Sequence, residues 1–138
     1  VKRVSVTKIV QFEAGHKLWN DHLTEKQNQE IYGACYRDKD CVGHGHTYTL
    51  EVTVIGPVDE NGFVINFKDL KSIIQEEIVS ECDHRFLNQE LPYITTCENM
   101  VQDFWKRIWV RLPDAVNLKK VRLWETANSY ATIEDLSV

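Results

Sequence analysis

Apolar and polar residues alternate near the start of the chain and again in its middle. Val4, Val6, Val10, Phe12 and Ala14 share one parity, which His16 continues, and Tyr48, Leu50, Val52 and Val54 share the parity of His44 and His46. Because successive side chains leave a strand on opposite faces, this alternation predicts two half-buried strands. The second runs over about residues 46 to 56 and is closed by Gly56-Pro57. A turn at Asp59-Glu60-Asn61-Gly62 precedes a short predicted strand, Phe63-Val64-Ile65. The period then changes. Phe67, Leu70, Ile73, Ile74 and Ile78 lie on one face of a helix of about three turns, with Asn66 as its cap. Thr95-Thr96-Cys97-Glu98 reads as a capping box with Thr95 at the cap, followed at helical spacing by Val101, Phe104, Trp105, Ile108 and Leu112 until Pro113. Strands are predicted again at 121 to 126 and at 130 to 134, whereas residues 17 to 34 show neither period and read as a long polar loop. The order predicts an α+β layer in which two helices cover one face of a four-stranded antiparallel sheet.

The 138 residues, 43% of them hydrophobic, are expected to form a single domain over residues 1–138. No apolar run approaches the length of a membrane span, and Val1-Lys2-Arg3-Val4-Ser5 lacks the apolar region of a signal peptide. The expectation is a soluble cytoplasmic protein with no membrane partner. In that compartment Cys35, Cys41, Cys82 and Cys97 are expected to be free or metal-linked thiols. Acidic residues outnumber basic ones by 21 to 16, which argues against a broad nucleic-acid footprint and leaves room for a local basic pocket.

The parity of the two strands carries the candidate chemistry. His44 and His46, two apart, leave their strand on the same side, while Gly45 keeps the opposite side open. His16 ends the first strand on its apolar face. If the strands pair antiparallel, three imidazoles converge on one metal ion. Three neutral nitrogen ligands with a fourth position open are the pattern of a catalytic zinc, whereas a structural zinc is closed by four protein ligands. A closed set of Cys35, Cys41, His44 and His46 is the structural alternative, and the histidines stand too close in sequence for the usual finger spacing.

Six motifs in order, Phe12-Glu13-Ala14-Gly15-His16, Tyr32-Gly33-Ala34-Cys35, Gly43-His44-Gly45-His46, Asp83-His84-Arg85-Phe86-Leu87-Asn88, Thr96-Cys97-Glu98-Asn99 and Trp124-Glu125-Thr126, span nearly the whole chain. In these the chain resembles the 6-pyruvoyl-tetrahydropterin synthase and 6-carboxy-tetrahydropterin synthase family. The resemblance implies a tunnelling fold, in which three subunits join their sheets into a barrel and two trimers stack into a hexamer with the active site between subunits. It implies a zinc-dependent lyase acting on 7,8-dihydroneopterin triphosphate with loss of triphosphate.

By the same resemblance a cysteine tuned by Asp83 and His84 is the base, Glu125 anchors the pterin, and Thr96 adds a hydrogen bond. The chain departs from the family pattern at the cysteine. Cys35 carries the matching lead but stands nine residues before His44, while Cys41 stands three before it, so Cys35 is the expected base and Cys41 the reserve. Lys17, Arg37, Lys39 and Arg85 are the candidates for the triphosphate. Of the two products, the carboxy product of the queuosine pathway is the expectation, on that enzyme's wide distribution. The pyruvoyl product of the tetrahydrobiopterin pathway is the alternative, and a non-catalytic pterin-binding or structural zinc protein is the other.

Overall fold

The computed structural model describes residues 2–33 and 43–138. Cys35, Cys41, Arg37 and Lys39 lie outside the described residues. Two long strands, β1 (Arg3–His16) and β2 (His44–Pro57), pair antiparallel in an unbroken register from Arg3 opposite Pro57 to His16 opposite His44. After β1 come α1 (Glu25–Tyr32) and then β2, followed by α2 (Phe67–Ile74), a π-helical turn (Gln75–Val79) and α3 (Ser80–Cys82). The chain continues through β3 (Arg85–Phe86), α4 (Leu87–Glu90), α5 (Cys97–Trp109), β4 (Asn117–Thr126) and β5 (Ser129–Glu134).

The sheet order is β3-β1-β2-β4-β5. It has five strands and is mixed, not four-stranded and antiparallel as the alternation predicted, because β3 lies parallel to β1 beside Ala14 and Gly15. Two residues are too few to show alternation. What holds them is backbone bonding to Glu13, whose N–H donates to Asp83 Oδ1 (2.9 Å) and whose carbonyl accepts from the His84 N–H (2.6 Å). The strand expected at 63–65 does not form either. There Asp59 closes the turn on itself, its carboxylate accepting from the N–H groups of Asn61 and Phe63 and its own N–H donating to the Phe63 carbonyl.

The expected loop contains α1, and its start is a capping box in which Thr24 and Gln27 satisfy each other's backbone N–H. Its buried residue is the polar Asn28, and Ile31 is exposed, so no apolar stripe announces it. The second expected helix, α5, is capped by Thr96 and not by Thr95: the Thr96 hydroxyl accepts from the Asn99 N–H at 3.2 Å. Thr95 is fully buried and otherwise engaged. Strand β4 begins four residues earlier than the sequence suggests, because a register shift opposite Thr53 and Val54 leaves Lys119 unpaired. This bulge lets Leu118 and Val121 both face the core, which breaks the alternation that would have revealed the strand.

Phe12, Tyr48, Leu50, Val52, Val54 and Leu123 line the inner face of the sheet and belong to the same buried cluster as Leu70, Ile74, Ile78, Phe104 and Ile108 of the helices. The strand ends that carry the histidines therefore emerge from the rim of this core. Among the described residues no helix is long and apolar enough to cross a membrane.

Candidate metal centre

The last rungs of the β1–β2 ladder set His16 opposite His44 and Ala14 opposite His46. Their common parity puts the three imidazoles together, with ring centroids 4.8 Å apart for His16 and His44, 5.2 Å for His16 and His46, and 4.8 Å for His44 and His46. One nitrogen from each lies within 4.8 Å of the others. Gly43 makes the approach of the two strands possible. Its φ is 141°, and a Cβ there would sit 2.6 Å from the carbonyl oxygen of His16.

His16 is 1% exposed, and its Nδ1 donates to the Thr95 carbonyl at 2.8 Å, with the Thr95 hydroxyl at 3.2 Å. Holding the proton on Nδ1 leaves Nε2 with its lone pair directed into the cluster. That atom is buried and has no hydrogen-bond partner among the described residues, and the same is true of His46 Nε2. Burial holds the His46 pKa below the ordinary imidazole value; Glu125 opposes this shift and His16 adds to it. Two buried ring nitrogens without hydrogen-bond partners among the described residues, in a cluster of three imidazoles, are the donor set that a divalent cation satisfies. Imidazole ligation suits zinc and its transition-metal neighbours better than magnesium or calcium.

Glu125 enters from β4. The β4–β5 pairing passes from Trp124 opposite Tyr130 to Thr126 opposite Ser129, leaving Glu125 in a bulge, a feature that re-aims a side chain. Its Oε1 lies 3.3 Å from His16 Nε2 and 3.5 Å from His46 Nε2, without making a hydrogen bond to either. The close approach of His16 holds its carboxyl below the usual carboxylate range, with burial opposing the shift and the imidazoles, when protonated, adding to it. The same side chain lines a cavity of about 360 Å³ with Cys97, Glu98 and the start of β5. Next to the imidazoles, Tyr48 is fully buried and stacked on Phe12 at 5.1 Å, and its hydroxyl has no partner among the described residues.

Asp83 and His84 are paired directly, Asp83 Oδ2 lying 3.1 Å from His84 Nδ1, and the His84 side chain is 76% exposed. The bond from the Glu13 N–H, before all else, holds the Asp83 carboxyl below its usual range. His84 has φ 59°, the left-handed region. Its ring and His46 line a common cavity of about 470 Å³ together with Glu13, Thr47 and Arg85. Thr96 stands at the start of α5, next to Cys97 in the Glu125 cavity. Cys82 and Cys97 are buried free thiols. Lys17 and Arg85 border different cavities, so the structure does not gather these two candidate cations at one place.

Sequence reasoning missed Thr95, Gly43 and Glu98. Thr95 orients a histidine 79 positions away, a relation that no local pattern carries. Gly43 had a signal, a glycine just before the paired histidines, and Glu98 stood in the capping motif.

The family model described as 6-pyruvoyl tetrahydropterin synthase matches residues 5–135. The chain is 35% identical over 132 residues to the 6-pyruvoyl tetrahydrobiopterin synthase of Pongo abelii, covering 92% of this chain and 88% of that protein. It is 38% identical over 91 residues to a putative 6-carboxy-5,6,7,8-tetrahydropterin synthase of Archaeoglobus fulgidus, covering 65% of this chain and 74% of that one. The solved structure of Caenorhabditis elegans 6-pyruvoyl tetrahydropterin synthase superposes with a TM-score of 0.85 at 26% identity, over 97% of this chain and 96% of that chain.

Proposed function

This chain belongs to the 6-pyruvoyl tetrahydropterin synthase family, in which relatives are named as tetrahydropterin-forming synthases, and from that premise we propose that it converts 7,8-dihydroneopterin triphosphate to 6-pyruvoyl-tetrahydropterin with loss of triphosphate. The observation that carries the reading is the cluster of His16, His44 and His46, with two buried ring nitrogens that have no partner among the described residues. The pyruvoyl product replaces the carboxy product expected from the sequence. Likeness to a protein named for the pyruvoyl product extends over 92% of the chain, whereas likeness to the one named for the carboxy product covers 65%.

In this reading the pterin ring enters the cavity beside Glu125, whose carboxylate accepts paired bonds from the amino group and a ring nitrogen. The Thr96 hydroxyl, accepting from Asn99, keeps its own proton to donate to the ring. His16, His44 and His46 would hold a zinc ion, which when bound would supply Lewis acidity toward the hydroxyls of the substrate side chain. Cys35 takes the carbon-bound proton, and Asp83, in contact with Nδ1, fixes the tautomer of His84. The exposed His84 stands at the sheet edge, where it can serve a site shared between subunits. Support for such an assembly comes from the sheet edges. From Arg3 to Phe12, β1 has no strand partner on its outer side among the described residues, and β5 also ends the sheet. Unpaired edges of this length invite strand pairing between chains.

The test is mass spectrometry of the product after zinc-loaded protein is incubated with 7,8-dihydroneopterin triphosphate. The expected result is 6-pyruvoyl-tetrahydropterin and free triphosphate, lost in Cys35→Ala and kept in Cys41→Ala. A carboxy product would transfer the chain to the other branch of the family. Unchanged substrate with fully metallated wild-type protein would overturn the lyase reading.

A further inference from the structure

The position of Glu125 is not explained by a role in pterin anchoring alone. In a tetrahedral zinc site with metal–donor bonds of about 2.0–2.1 Å, neighbouring donor atoms stand about 3.3–3.4 Å apart. Glu125 Oε1 is 3.3 Å from His16 Nε2 and 3.5 Å from His46 Nε2, so it keeps a ligand's separation from both. The chemistry of the contact points the same way. With the Nδ1 proton of His16 committed to the Thr95 carbonyl, a neutral ring meets the carboxylate at Nε2 as one acceptor facing another, and a protonated ring meets it as an ion pair. In the neutral form the two acceptors repel at this distance unless a cation lies between them, which is the arrangement a metal ion completes. The β4 bulge that leaves Glu125 unpaired aims the side chain at this place and not along the strand.

We propose that Glu125 is a fourth, exchangeable metal ligand, which closes the three-imidazole centre in the substrate-free protein and leaves it when a pterin takes the carboxylate. The inference rests on the reading of the three imidazoles as a metal centre and of Glu125 as the pterin anchor. Its consequence is coupling between the two halves of the site. A carboxylate that accepts from the pterin amino group and ring nitrogen no longer serves the cation, and the freed position faces the substrate side chain. Pterin binding and the opening of the metal site then become one event, and metal and pterin each weaken the other's hold on the carboxylate. In the absence of substrate the closed centre is shielded from adventitious ligands.

The experiment uses the full chain and cobalt(II) as the probe, without pterin, with circular dichroism to verify the fold of each variant. The wild type is expected to bind one cobalt per chain and to show the strong visible absorption of a four-coordinate ion. Glu125→Gln keeps the shape but loses the charge, and it is expected to bind cobalt about 10- to 100-fold more weakly with a shifted visible band. Adding neopterin, which carries no triphosphate to eliminate, should move the wild-type band and leave the Glu125→Gln band in place. Equal cobalt affinity and identical spectra in wild type and Glu125→Gln would overturn the proposal while leaving the lyase reading intact. No cobalt binding by the wild type would overturn the metal centre itself, and the proposal with it.

Discussion

At His16 one proton decides what the site can do. The Thr95 carbonyl holds it on Nδ1, so Nε2 is an acceptor before any ligand arrives. Gly43 matters equally, through space and not through bonding. An added methyl would collide with the His16 backbone at 2.6 Å and would occupy a positive φ, so Gly43→Ala should spread the strand ends, lower metal affinity by at least tenfold and cost about 1–3 kcal/mol of stability. Metal titration and denaturant unfolding measure the two effects, and an unchanged affinity would refute the positioning argument. Tyr48 predicts the opposite sign. Its hydroxyl is buried without a partner, so Tyr48→Phe should leave stability unchanged or raise it by about 1 kcal/mol in denaturant unfolding, and a loss above that would reveal a partner for the hydroxyl. The three histidines were legible from parity, because alternation along a strand fixes a face whatever the partner. Thr95 was not, because its role depends on a contact between segments that only the fold brings together.

Among the elements, those with an apolar period were read and those without one were missed. The helix α1 buries an asparagine, and β3 consists of two residues, paired with Ala14 and Gly15, that follow the bonds of Asp83 and His84 to Glu13. The two β4 bulges acted differently. The one at Lys119 hid the start of the strand, and the one at Glu125 placed a carboxylate that the sequence identified as a pterin anchor but not as a neighbour of the imidazoles. The turn that delivers His84 carries its own strain, since a left-handed backbone costs an L-residue about 1–2 kcal/mol and costs glycine little. His84→Gly should therefore be about 1 kcal/mol more stable than His84→Ala in denaturant unfolding, although both lose the imidazole. Equal stability of the two variants would show that the turn is not strained.

For the whole molecule, burial of ionisable groups under the sheet sets a limit on the alkaline side. Burial pushes the Cys82 thiol up to about 12 and the Cys97 thiol up to about 11, against an ordinary value of 9.0. A thiol whose pKa is raised by folding stabilises the fold fully below its unfolded value and loses that contribution as pH climbs through the folded one. Unfolding free energy should thus fall from about pH 9 toward 11, and less steeply in Cys82→Ala than in the wild type. A flat profile over that range would contradict the burial assigned to the thiols. The same sheet carries the account's central claim, that its converging strand ends form a metal centre from His16, His44 and His46. The most direct test is the metal content of purified, zinc-reconstituted protein, measured by elemental analysis alongside circular dichroism. The account predicts one zinc per chain in the wild type and loss of that zinc in His16→Ala, His44→Ala and His46→Ala with the fold retained. Zinc held at full stoichiometry by all three variants, or no stoichiometric zinc in the wild type, would contradict it.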